Sequence, residues 1–227
     1  MVQREQAAAL RAALERHGAF FCSSEQTTAL GPVCYDPEHR RMRADVVGQG
    51  VGVIAQRAGI DVPEGTRVLV AAPGGVGPDH PLSAEILAPV LAWYEVDAYE
   101  QAIDTCRAIL RWGGIGHTLG VYTHDNQVVS DFSAIGGGRI LINQPTTQGA
   151  YGGIVNNLPP SLTLACGTGA HNITSGNITY HHLLNIDRVV RPHPDAGWTS
   201  CGTTAWLDET LDADGAQARY RTGSAES

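Results

Sequence analysis

The sequence predicts an α/β protein built on a mainly parallel sheet covered by helices, and three observations carry that expectation. Short β-branched runs alternate with helical patterns, as in TRVLVA (Thr66 to Ala71) and DAYEQAIDTCRAILRW (Asp97 to Trp112). Hydrophobic residues make up 43% of the chain, aromatics only 6%, and there are 27 glycines, a balance ordinary for this class. The 227 residues suffice for one large domain, or for one domain with a small appendage.

Taken in order, Gln3 to His17 reads as a helix with Ala7, Leu10 and Leu14 on one face, stopped by Gly18. Val51 to Ala58 is a second helix, ended by Gly59, and Thr66 to Ala71 is a strand. A loop rich in glycine and proline (Pro73 to Pro81) leads to a strand over Val90 to Val96. Asp97 is expected to cap the next helix, with Glu100 completing a capping box and Tyr99, Ile103, Cys106 and Leu110 forming the buried stripe. After Gly113-Gly114 come a strand (Leu119 to Tyr122), a short helix (Val128 to Ala134) and a strand (Arg139 to Asn143). Gln144 to Gly176 reads as one long loop, and loops of that length are usually functional. Residues 208–227 read as a disordered polar tail.

The chemistry of the composition excludes several functions. The formal charge is −8, there is no lysine, and the nearest thing to a basic cluster, His39-Arg40-Arg41, is too short for a nucleic-acid or anionic-membrane surface. Five widely spaced cysteines (Cys22, Cys34, Cys106, Cys166, Cys201) show no zinc spacing and no even-numbered disulfide framework, so no metal is expected. No apolar run reaches the length of a membrane span and the N-terminus does not read as a signal peptide, which makes the cytoplasm the default location. The sequons at Asn172 and Asn177 are then without meaning. VVGQGVG (Val46 to Gly52) imitates a dinucleotide fingerprint, but its third glycine comes one place early and Asp61 and Glu64 lie too close to hold a ribose. A tight turn before a helix is the plainer reading.

Three blocks in order carry a family resemblance. They are EILAPVLAWYEVDAYEQAI (Glu85 to Ile103) with GGIGHT (Gly113 to Thr118), RILINQPTTQGAYG (Arg139 to Gly152), and PPSLTLACGTGAHNITSGNITYHHLLNIDRVV (Pro159 to Val190). Together they resemble the CoA-acylating aldehyde dehydrogenases, including the aldehyde dehydrogenase half of aldehyde-alcohol dehydrogenases, with an ending most similar to the succinate-semialdehyde and sulfoacetaldehyde branches. The resemblance implies an aldehyde dehydrogenase-type catalytic domain over residues 1–191, truncated at its N-terminus and lacking the cofactor domain, with a divergent tail at 192–227. It implies NAD or NADP as cofactor and CoA as co-substrate in the complete enzyme, an aldehyde or acyl-CoA as substrate, and a homo-oligomer or a missing cofactor-domain chain as partner. Glu85 matches the glutamate that bonds the nicotinamide ribose, where a carboxylate accepts from two vicinal hydroxyls. His117 matches a histidine beside the reacting thioester, able to take a proton from a thiol. Asn143, Gly167 and Thr168 match active-site loops, and Cys166 a cysteine that is not the nucleophile. Gly169, His171 and Gly176 depart from the family's tryptophan, glycine and glutamate, which puts the packing on the cofactor and CoA side in doubt.

Cys22, in FFCSSEQTTAL (Phe20 to Leu30), imitates the family's nucleophile block. Only roughly half the spacing that relatives place between nucleophile and VVGQ separates it from Gln49. A second register uses nearly every residue: Ala8 to His17 as the helix after the nucleophile, His17 to Phe21 as the following strand, and Ser23 to Leu30 as the next helix start. The favoured expectation is therefore that the nucleophilic cysteine is absent, with Cys22 the less favoured candidate, and that the chain has little or no activity alone. A split-enzyme subunit and a non-catalytic module that binds full-length homologues are the alternatives.

Overall fold

The computed structural model describes residues 1–162, 173–191, 210–215 and 217–218. The chain divides into two compact units, Met1–Leu183 and Leu184–Ser227, an earlier division than the break after Arg191 suggested by sequence. Most of the second unit, including most of the expected tail, lies outside the described residues. In the first unit, strand β1 (Val2–Gln3) runs straight into helix α1 (Arg4–Arg16), β2 (Ala19–Phe21) follows, and α2 covers Ser24–Cys34. A hairpin of β3 (Tyr35–Asp36) and β4 (Arg41–Met42) precedes α3 (Val51–Arg57) and β5 (Val68–Ala71). Then come β6 (Val90–Ala92), β7 (Glu95–Val96), α4 (Tyr99–Gly113), β8 (Thr118–Val121), α5 (Asn126–Ser133), β9 (Arg139–Ile142) and α6 (Thr146–Tyr151).

Every strand pairing among the described residues is parallel except the β3–β4 hairpin. The sheets are β2-β5-β6, β1-β7 and β8-β9. Two apolar cores stabilise them. One gathers Leu30, Cys34, Ile54, Leu69 and Leu82 under the three-stranded sheet, and the other gathers Val96, Ile103, Cys106, Val121 and Phe132 around α4.

The α/β class and the α4 stripe are as the sequence predicts, except that Ala102 replaces Tyr99 among the buried positions and Tyr99 packs at the edge. Three local readings need correction. The strand expected over Val90 to Val96 is two strands: β6 pairs with β5 and β7 with β1, so the chain changes partner at Trp93-Tyr94. Asp97 does not cap α4; its carboxylate bonds Arg4 Nε at 2.6 Å, while Gln101 Oε1 accepts the Asp97 N–H at 2.9 Å. The loop from Gln144 contains α6, which Asn156 secures by donating to the Gly149 carbonyl at 2.8 Å.

Cys34 is fully buried, and burial pushes its thiol up from an ordinary 9.0 to about 11. The unfolded thiol ionises first, so its contribution is complete below pH 9 and is lost as pH rises towards 11. We expect melting temperature to fall over that interval, corresponding to about 2–3 kcal/mol, and Cys34→Ala to remove the extra loss. An unchanged alkaline slope in the variant would contradict it.

Candidate active site

Glu85 and His117 come from separate segments and line one cavity of ≈ 210 Å³, together with Ser83, Cys106, Leu110 and Leu119. Glu85 is presented by a short stretch anchored on both sides. Upstream, Leu82 is buried in the first core and Ser83 is tied to Gly77. Downstream, the Leu87 carbonyl accepts from Gly48 N–H at 3.0 Å. Its carboxylate is exposed and engages no hydrogen bond or ion pair among the described residues. It is free to accept from a ligand.

His117 follows the turn that ends α4, where Gly114 has φ +120°. Its carbonyl accepts from Gly138 N–H at 3.0 Å, which fixes the main chain beside β9, and its Nε2 lies 3.4 Å from the Gly113 carbonyl, too long for a strong bond. The half-buried imidazole thus keeps a nitrogen for other chemistry.

The cavity's thiol is Cys106, which the sequence reading placed only in the α4 stripe. Burial pushes its pKa up, opposed by the Met1 ammonium. The signal that would have found it is positional: Cys106 lies one turn before Leu110, and both line the cavity.

Cys22 is not among the residues lining this cavity. It ends β2, where its N–H donates to Val70 O at 2.8 Å, and its side chain packs half-buried on the first core, which pushes its thiol up. The adjoining SSEQ has its own physical explanation. Ser23 Oγ accepts from Gln26 N–H at 3.2 Å and Gln26 Oε1 accepts from Ser23 N–H at 2.8 Å, a reciprocal capping box opening α2.

Asn143 closes β9 at φ +53°, and both atoms of its amide are spent on Thr123: Oδ1 accepts from the N–H at 2.9 Å and Nδ2 donates to the carbonyl at 2.8 Å. It clasps the end of β9 to the end of β8. Gly167 and Thr168, with Cys166, Gly169 and His171, lie outside the described residues. In the glycine motif, Gly48 N–H is already spent on Leu87 O, and Gly50 is the N-cap of the seven-residue α3 at φ −71°, a conformation a proline adopts equally well. Among the described residues no three His, Cys, Asp or Glu are placed to hold a metal ion, and no helix is long and apolar enough to cross a membrane.

No family model matches the sequence. The aldehyde-alcohol dehydrogenase of Clostridium acetobutylicum is 38% identical over 189 residues, 81% of this chain and 22% of that protein. The acetylating succinate-semialdehyde dehydrogenase of Clostridium kluyveri is 33% identical over 179 residues, 78% of this chain and 39% of that protein. Among solved structures, an acetylating aldehyde dehydrogenase from Geobacillus thermoglucosidasius superposes with a TM-score of 0.76 at 35% identity, over 85% of this chain and 43% of that one. The chain belongs to the acylating aldehyde dehydrogenase family. A probable aldehyde dehydrogenase from Listeria monocytogenes gives a TM-score of 0.78 at 34% identity, again over 43% of its length. The chain thus spans less than half the length of these relatives. Solved structures that share the fold at 18% identity include an engineered glycolyl-CoA reductase with bound NADP+ and a propionaldehyde dehydrogenase with bound CoA and an acylated cysteine.

Proposed function

We propose that this chain supplies the Glu85–His117 face of an acylating aldehyde dehydrogenase site, and that alone it does not turn over. The observation supporting this is the convergence of the two residues on one apolar cavity. An unpaired carboxylate there suits the vicinal hydroxyls of a nicotinamide ribose, so the described residues fit that end of NAD or NADP. When bound, the cofactor would exchange a hydride with the aldehyde carbon. His117 would take the proton from the thiol of CoA, with the apolar wall of Leu110 and Leu119 excluding water from the acyl group.

We place the nucleophilic thiolate elsewhere than Cys22, which lines no part of this cavity and whose thiol burial pushes up. The alternatives are a split-enzyme subunit that acts with a companion chain carrying the cofactor domain and thiol, and a non-catalytic module that binds full-length homologues. Purified chain given acyl-CoA and NADH is expected to show no NADH oxidation above blank. Clear turnover that is lost in Cys22→Ala and kept in Cys106→Ala would overturn the proposal.

A further inference from the structure

We propose that Ser83 is a second ligand-contacting residue of this cavity, its hydroxyl donating a hydrogen bond to an oxygen of the same ligand whose ribose Glu85 holds. The inference rests on the reading of Glu85 given above. Ser83 is 5% exposed and lines the cavity two positions before Glu85. A hydroxyl has one proton to donate and two lone pairs to accept with. Ser83 Oγ accepts from Gly77 N–H at 3.0 Å, and no acceptor for its own proton is found among the described residues. A buried donor left unmade costs stability, so an unused one on a cavity wall points to an acceptor that arrives with a ligand.

The surrounding loop holds that hydroxyl in place. His80 Nδ1 bonds the Pro73 carbonyl at 2.7 Å, His80 N–H donates to Gly77 O at 2.9 Å, and Ser83 N–H donates to His80 O at 2.8 Å. The His80 ring lies against Gly75 so closely that a Cβ there would collide with the imidazole. From the other side Tyr94 O–H donates to Gly75 O at 3.1 Å. The Gly77 N–H is therefore held on one lone pair of Ser83, and the hydroxyl proton has no acceptor of its own among the described residues. The wall then offers an acceptor, Glu85, and a donor, Ser83, to a ligand that carries hydroxyl donors and an oxygen acceptor. The nicotinamide-ribose portion of the cofactor has both.

The test is titration of the full chain with nicotinamide mononucleotide, followed by NMR, for wild type, Ser83→Ala and Glu85→Gln. Saturable binding is expected in the wild type, weakened about five-fold by Ser83→Ala, the size of one hydrogen bond. The Gly77 amide proton is expected to move downfield as the ligand binds, because a hydroxyl that donates becomes a better acceptor. Wild-type affinity in folded Ser83→Ala, with Glu85→Gln weakened, overturns the role of Ser83 and leaves that of Glu85. Unchanged affinity in Glu85→Gln overturns the reading of Glu85. Should Ser83→Ala not fold, a stationary Gly77 amide in the saturated wild type overturns the proposal, and absence of binding in the wild type overturns both.

Discussion

Asn177→Ala is expected to lower unfolding free energy by about 3 kcal/mol. Asn177 is 6% exposed and its side chain works in both directions. Oδ1 accepts from the Nε of the buried Arg139 at 2.7 Å, while Nδ2 donates to the Pro159 carbonyl at 2.7 Å and, more weakly, to Ala150 O at 3.4 Å. One side chain thus joins β9, the end of α6 and the segment after it. Truncation removes an acceptor from a buried guanidinium and a donor from two carbonyls together, and hydrogen bonds to charged groups are the costly ones to lose. Asn177→Asp separates the halves: it keeps an acceptor for Arg139 and loses the donor, so a smaller loss of about 1–2 kcal/mol is expected. Urea midpoints at constant slope would show the order. An Ala variant within experimental error of wild type would contradict the account.

Gly152→Ala is expected to destabilise by about 3–4 kcal/mol, through backbone strain and collision together. Gly152 closes α6 at φ +72°, ψ 175°, a region essentially reserved for glycine. An added Cβ would fall against the Leu158 and Pro159 carbonyls, which are backbone and cannot swing aside. Gly136, at φ +94° with open space around its Cβ position, supplies the comparison: alanine there meets strain without collision. Equal losses at the two positions would show that the carbonyl contacts are not decisive.

What was legible in the sequence was what local physics decides. The stripe of α4 repeats every three to four residues over about three turns. Where a distant partner intervened, local reading failed. Asp97 looks like a cap and is taken by Arg4, whose position on α1 nothing near Asp97 reveals. The break between β6 and β7 follows from a change of neighbouring strand. Helix α6 is six residues with a glycine inside and no apolar period, secured by Asn156 from beyond its own end.

The candidate site divides in the same way. Glu85 and His117 are ordinary residues until family blocks are recognised around them, and only the fold puts them in one cavity with Cys106 and Ser83. Asn143 is singled out by the same recognition, yet its amide is occupied in clasping two strands and it is not among the residues lining the cavity.

The buried amide of Asn177 also has a bearing on where this protein can be made. Asn177-Ile-Thr satisfies the acceptor pattern for N-linked sugars, but the nitrogen that would carry the glycan is already hydrogen-bonded to Pro159 and Ala150 inside the fold. Sugar attachment and native packing are mutually exclusive at this residue. A host that exports the chain would set the two in competition, and every molecule glycosylated there before folding would be lost to the native state.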